Sequence, residues 1–344
     1  MISRYLIICT LRLGDVLLTT PLAHSIKSHE PQARVDYLVL AGNEGILSGN
    51  PDIHHVWALP HRTNLWNRVN EWRQLFRVYD FVLAPVSSDR ARFYAFISGK
   101  QRIGFYNPHS SYWSKGLLTK AFLFDDINTH TVLHHARLLE PLGIPKILKV
   151  VPPQGESYNI PSTGPIAVIH PWAKFTYKNW RQDHWTALIN KLTVAGWRVY
   201  LTGSSAPDET AALAELSNLT EAVNLSGQLS FAQITSLLKQ SNIFVGVDTS
   251  ITHIAAATGI LTWALFGPTN PVKWGPWPEN YRQTENPWRT QGTQTQGNVT
   301  LLQGPGSCVP CHQEGCLRHP NSHSQCLMDL TWETVWTSIQ KTIT

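Results

Sequence analysis

No run of roughly 18 apolar residues, the length a membrane-spanning helix needs, occurs in this 344-residue chain. The apolar opening Tyr5-Leu6-Ile7-Ile8-Cys9 is short and soon meets Arg12 and Asp15, which fits neither a signal peptide nor a span. A cytoplasmic protein is therefore expected, at most peripheral to a membrane. A strong charge of one sign is also missing. With 28 basic and 23 acidic side chains the net charge is +5, too mild to argue for nucleic acid, though compatible with an anionic substrate or an anionic membrane face. The Gly-x-Gly-x-x-Gly fingerprint is absent, which argues against hydride transfer. Cysteine is scarce: Cys9 stands alone in an apolar run, as a small core residue would, and the other four crowd between 308 and 326. Tryptophan is plentiful at 14, often beside Arg or Lys, a pairing frequent at sugar and phosphate sites but also on ordinary surfaces and in cores.

What is present is an alternation of strand and helix signals. Apolar, β-rich runs at 4–10, 35–40, 53–59 and 79–84 are separated by helical spacing over 13–28 and 64–77. A second array follows, with strands at 165–170, 197–202, 243–247 and 261–266. Helices are expected at 181–195, 208–218, 231–240 and 250–258. Such alternation predicts an α/β protein with parallel sheets covered on both faces. The stretch 145–164 holds four prolines and reads as a linker. The expected division is a Rossmann-like domain over 1–150, a linker over 151–164, a second Rossmann-like domain over 165–330 and a closing helix over 331–344. Within the second domain, 268–327 shows little periodicity and is long for a structureless loop, so it is either functional or pinned by something, above all in its Cys-rich part, 304–327.

Open parallel sheets bind ligands beyond the carboxyl ends of their strands, so the chemistry is sought there. Leu11-Arg12-Leu13-Gly14-Asp15 follows the first strand; Asp15 reads as a general base for an acceptor hydroxyl or, more plainly, as a helix-capping carboxylate. His170-Pro171-Trp172-Ala173-Lys174-Phe175-Thr176-Tyr177-Lys178 puts two lysines where a diphosphate would sit, unless the loop is merely basic and solvated. Asp248-Thr249-Ser250-Ile251-Thr252-His253 opens an Ala-rich helix whose free amides suit an anion; Asp248 as a simple cap and His253 as a buried polar residue are the alternatives. Gly267-Pro268-Thr269-Asn270-Pro271 is a turn after the next strand.

Three of these segments together resemble the ADP-heptose:lipopolysaccharide heptosyltransferases, glycosyltransferase family 9, and are similar in particular to the third-heptose (branching) type. The likeness rests on residues 248–257 with 267–271 and Trp274-Gly275-Pro276, on Gly14-Asp15 through Thr20-Pro21, and on the Lys178-x-Trp180 loop. It implies a GT-B fold, two doubly wound Rossmann-like domains facing a central cleft. It also implies an inverting transfer of heptose from ADP-L-glycero-D-manno-heptose to the lipopolysaccharide inner core, with no metal required for catalysis. Asp15 would then be the base. Lys178, Asp248, Thr249, Ser250, His253, Glu209, Gly267, Pro268 and Thr269 would bind the donor. Arg12, Trp172, Ile251 and Thr252 depart from the family's usual small residues, which bears on the acceptor rather than on the reaction.

For the acceptor, Arg12, Arg90 and Arg92 are candidates to pair with the phosphates and carboxylates of a lipopolysaccharide core. Arg68, Arg73 and Arg77, set against Leu65, Val69, Trp72 and Phe76, suit a helix lying on an anionic membrane, or a plain surface helix with a basic face. The spacing Cys308-x2-Cys311-x4-Cys316-x9-Cys326 lets four thiolates surround one structural zinc or iron, with His312, His319 and His323 as substitutes; four free thiols are the alternative. Autotransporter-modifying heptosyltransferases are similar in bearing a four-cysteine iron motif, so a protein acceptor is the alternative to lipopolysaccharide. A nucleotide-sugar epimerase and a non-catalytic nucleotide-sugar-binding protein are the remaining rivals.

Overall fold

The computed structural model describes residues 2–62, 64–160 and 164–343. The chain divides into two compact units, Met1–Gly155 and Glu156–Thr344. This division falls inside the proline-rich stretch; residues 161–163 of the expected linker lie outside the described residues.

The first unit holds β1 (Arg4–Cys9), β2 (Arg34–Leu40), β3 (His55–Leu59), β4 (Tyr79–Ala84), β5 (Gly99–Tyr106) and β6 (Lys120–Leu123). They form one parallel sheet in the order β3-β2-β1-β4-β5-β6. Leu6, Ile7, Ile8 and Cys9 of β1 are all completely buried, as a central strand covered on both faces requires. The single helix expected over 13–28 is two, Leu13–Leu17 and Thr20–His29. Pro21 has no N–H to continue the first helix and suits the first turn of the second. The hydroxyls of Thr19 and Thr20 donate to the carbonyls of Val16 and Leu17, at 2.7 Å each, and so close the break.

The second unit holds β7 (Ile166–His170), β8 (Arg198–Leu201), β9 (Val223–Asn224), β10 (Ile243–Val247), β11 (Leu261–Phe266), β12 (Gln294–Gln296) and β13 (Val299–Gln303). The order is β12-β13-β11-β10-β7-β8-β9, parallel except for the β12–β13 hairpin. Counting from the first strand of each unit, both sheets share the doubly wound order 3-2-1-4-5, with the reversal between β1 and β4 and between β7 and β10; the second then continues through β13 to the edge strand β12. Two Rossmann-like halves of this kind make the GT-B class of fold.

The region 268–327 is more structured than its sequence suggests. β13 lies parallel to β11 within the sheet, and Val299, Leu301 and Leu302 are buried. Its polar, Gly-containing surroundings conceal a short run that carries no amphipathic period, because both faces are covered. The closing helix, Trp332–Ile343, belongs to the second core: Val335, Trp336 and Ile339 pack in one cluster with Leu188, Ile189 and Leu192 of helix Gln182–Val194. Among the described residues no helix is long and apolar enough to cross a membrane.

Candidate functional site

In the second unit the reversal of strand order puts the loops after β7 and β10 side by side. Each carries an ionisable group. The loop after β7 is closed on itself by the buried Asn179, whose Oδ1 accepts from the Ala173 N–H at 2.6 Å. The closed loop aims Lys178 at the start of the next array. Its Nζ donates to Oδ2 of Asp248 at 2.6 Å, with side-chain exposures of 18% and 8%. Asp248 follows β10 and precedes helix Ser250–Thr258. Thr249 sits at that helix's N-cap in extended conformation and no side chain caps the first turn, so backbone donors and the positive end of the helix dipole stand beside the ion pair.

Burial works to raise the Asp248 pKa. The charge and hydrogen bond of Lys178, with help from His253 and the Thr269 side chain, outweigh it and hold the carboxyl below the usual range. Thr269 comes from the turn after β11, so three loops converge on Asp248. His253, one turn into the helix, is pushed down to about 4. Burial is the main cause, Asp248 opposes it and Lys178 assists it, and the ring is neutral at physiological pH. Its Nδ1 is buried and has no hydrogen-bond partner among the described residues. A buried polar atom left unpaired is costly.

Glu209 lies in the first turn of helix Pro207–Asn218, which follows β8, and accepts from the Ser204 hydroxyl. It acts electrostatically on His170, the last residue of β7. Burial lowers the His170 pKa against the pull of Glu209 and the hydrogen bond to Thr202. Lys178, Glu209, Asp248, Thr249, Ser250, His253 and Thr269 thus all lie at the carboxyl ends of adjacent parallel strands. The arrangement offers a cation and free amides for phosphate, and carboxylates for sugar hydroxyls.

The Cys-rich segment braces this rim from below. The buried Ser324 donates to the Tyr177 carbonyl at 2.6 Å, one residue before Lys178. The His312 N–H donates to the Pro268 carbonyl at 2.9 Å, one residue before Thr269. A side chain at Gly267 would meet Leu327 at 2.7 Å and the Cys326 sulfur at 3.1 Å, so glycine is needed there for space. Sequence reasoning missed this bracing, because nothing in the spacing of residues 304–327 says which loops they touch. Cys326 is buried and its thiol is pushed up to about 11, first by burial and then by Cys311, Cys316 and Cys308, which lie within electrostatic reach. The three other thiols of the segment thus lie near enough to Cys326 to act on it electrostatically. They do not form a closed shell, for among the described residues no three His, Cys, Asp or Glu are grouped to hold an ion.

In the first unit Asp15 lies in the short helix after β1 and accepts from the Arg12 N–H at 3.3 Å. It remains partly accessible. Arg12 and Arg90 are exposed, at the starts of the helices that follow β1 and β4. Arg92 is different and corrects the expectation that it meets the acceptor. It is 2% exposed, and its guanidinium donates to the Phe105 carbonyl, Ser114, Asp89 and Ser110. Held by these four bonds, it ties the loop after β5 to the start of helix Asp89–Ser98. The sequence could not separate Arg90 from Arg92, since both follow a strand and only the helix phase sends one outward.

Comparison with known proteins agrees with this geometry. The chain is 27% identical over 294 residues to lipopolysaccharide heptosyltransferase 3 of Escherichia coli K12, covering 78% of this chain and 84% of that one. Its fold matches E. coli heptosyltransferase WaaC with ADP at a TM-score of 0.75 and 20% identity, over 98% of this chain and 99% of the other. A looser match in fold is the iron-containing dodecameric glycosyltransferase TibC from enterotoxigenic E. coli, at a TM-score of 0.57 and 15% identity over 98% of this chain and 75% of TibC. The sequence model of glycosyltransferase family 9 (heptosyltransferase) matches residues 68–302, from helix Leu65–Leu75 of the first unit to β13. With that family model matched over more than half of its length and both sheets wound as Rossmann-like halves, this chain belongs to glycosyltransferase family 9.

Proposed function

We propose that the protein transfers heptose from ADP-heptose to the inner core of lipopolysaccharide, with inversion at the anomeric carbon. The observation that carries the reading is the Lys178–Asp248 ion pair beside the uncapped start of helix Ser250–Thr258, at the strand-order reversal. A nucleoside diphosphate placed there meets a cation and free amides. The names of the relatives support the donor and acceptor classes: lipopolysaccharide heptosyltransferases by sequence, and a heptosyltransferase bound to ADP by fold. In the reaction the acceptor hydroxyl oxygen bonds to the anomeric carbon as the bond from that carbon to the diphosphate breaks. Asp15 takes the hydroxyl proton, and Lys178 with the helix amides offsets charge growing on the departing ADP. Arg12 and Arg90 pair with anionic groups of the acceptor. Because such an acceptor is anchored in lipid, the protein works at the cytoplasmic face of the inner membrane. Purified protein given ADP-heptose and heptose-deficient lipopolysaccharide is expected to add one heptose mass to the core, read by mass spectrometry. Addition to a surface protein instead, or no transfer at all, overturns the assignment of acceptor or activity respectively.

The four cysteines, in this reading, hold one structural zinc or iron ion. Support comes from their shared neighbourhood, from the likeness in fold to an iron-containing glycosyltransferase, and from the bonds that tie their segment to the Tyr177 and Pro268 loops. The ion would supply cross-linking and no chemistry. Metal analysis of the purified protein should find about one equivalent for a single four-thiolate site. The Cys311→Ser variant should lose most of it and bind ADP more weakly, because the brace loosens. A Cys311→Ser protein with its full metal content ends the idea.

A further inference from the structure

Helix Leu65–Leu75 presents an unusual surface. Leu65, Trp66, Val69, Trp72 and Phe76 recur at helical spacing along one side. That side is not buried in the way an apolar helix face usually is. Leu65 is 72% exposed, Trp66 81% and Phe76 65%. Between this helix and Asp89–Ser98 runs a groove of about 530 Å³, lined by Val69, Trp72, Arg73, Phe76, Phe93 and Ile97. Its floor is held by the edge-to-face contact of Trp72 with Phe93 at 5.3 Å. The groove has a single polar lining residue, and that residue is a cation.

The surroundings are basic as well. Phe96, 42% exposed, lies one residue before Ile97 on the same helix, and the guanidinium carbons of Arg77 and Arg102 stand 6.0 and 5.5 Å from its ring. Nearby carboxylates are engaged: Glu71 accepts from the Tyr94 hydroxyl, and Asp80 is paired with Lys100. Exposed aromatics interleaved with unneutralised arginines, around an apolar trough, match the chemistry of an anionic bilayer. Acyl chains suit the trough, aromatic rings sit at the headgroup boundary, and guanidinium groups pair with lipid phosphates. A partner protein with a merely apolar face would bury the charge of Arg73, and of Arg77 and Arg102, which donate to backbone carbonyls but meet no carboxylate among the described residues, and burial of uncompensated charge opposes such docking.

We infer that the face formed by Leu65, Trp66, Arg73, Phe76, Arg77 and Phe96 is a docking surface for anionic phospholipid bilayers. This goes beyond the assignment of a sugar-transfer reaction, which names no surface, and its test needs neither donor nor acceptor. Purified full-length protein is mixed with vesicles of phosphatidylcholine alone or of phosphatidylcholine with phosphatidylglycerol, and the bound fraction is measured by flotation. Binding to the anionic vesicles, weakened by added salt, is expected. The double variant Trp66→Ser/Phe76→Ser should reduce it by about tenfold or more, through loss of inserted apolar area. Arg73→Gln should reduce it by about fivefold, the weight of one basic side chain near such a surface. All these side chains are exposed or at the groove's edge, so thermal melting should be unchanged and serves as the folding control. Equal binding to neutral and anionic vesicles, or variants that bind like the parent, overturns the proposal. So does a monomer–dimer equilibrium, seen by sedimentation, that Trp66→Ser/Phe76→Ser abolishes while vesicle binding persists. Transfer to an acyl-free acceptor should be the same in parent and variants. If transfer fails in all of them, the reaction assignment falls while the vesicle result still stands.

Discussion

Replacing Lys178 with methionine is expected to weaken ADP binding by about 100-fold, the upper end for loss of a charge-assisted contact to phosphate. Methionine keeps most of the side chain's volume and removes the charge. Two effects follow from one deletion. The diphosphate loses its cation, and Asp248, 8% exposed, loses the partner that holds its pKa down. Removing one member of a buried ion pair costs roughly 3–5 kcal/mol when burial is complete; Lys178 keeps 18% exposure, so the lower part of that range applies. The stranded carboxyl then responds to burial, and its pKa rises. Calorimetric titration with ADP and thermal melting read the two effects separately. The double variant Lys178→Met/Asp248→Asn settles what the lysine does, since it removes the stranded charge. Its melting temperature should recover while ADP affinity stays low. Recovery of ADP affinity in the double variant would make Lys178 a structural partner of Asp248 and nothing more.

Asp15→Asn should lower turnover by about 100-fold or more, since a positioned base contributes that much to proton removal. Asparagine retains the shape and the ability to accept from the Arg12 N–H, so the cap at the start of helix Leu13–Leu17 survives. Stability should therefore move little. ADP affinity should not move at all, because the residues proposed to bind it lie in the other unit. The expected signature is a fall in kcat with unchanged binding of nucleotide. Near-normal turnover would reduce Asp15 to a helix-start carboxylate. A parallel loss of ADP affinity would mean that the substitution had disturbed more than one proton.

Arg92 and Arg90 show why some of the site resisted reading from sequence. Both are arginines two residues apart at the start of one helix, equally suited to an anionic acceptor. Burial separated them, and burial depends on the loop after β5, whose Ser110 and Ser114 come from a stretch with no recognisable pattern. The bracing by Ser324 and His312 was hidden for the same reason, since it joins residues 147 and 44 positions apart. β13 escaped because a strand covered on both faces lacks alternation, and polar residues flank it.

The local pattern was enough to establish the alternation of strands and helices, two α/β arrays, and the placement of Asp15, Lys178, Asp248 and Thr269 in the segments that directly follow strands. Those properties depend on periodicity and on turn chemistry, which act over a few residues. Tertiary structure alone decided that Lys178 and Asp248, 70 residues apart, share a 2.6 Å contact. It also decided that His253 is neutral with a buried, unpaired ring nitrogen among the described residues, and that the apolar side of helix Leu65–Leu75 is left largely exposed. Ion pairing, desolvation and exposure are set by which strands become neighbours. In a parallel sheet that order is fixed by long crossover connections and the packing of whole helices, not by any short stretch of residues.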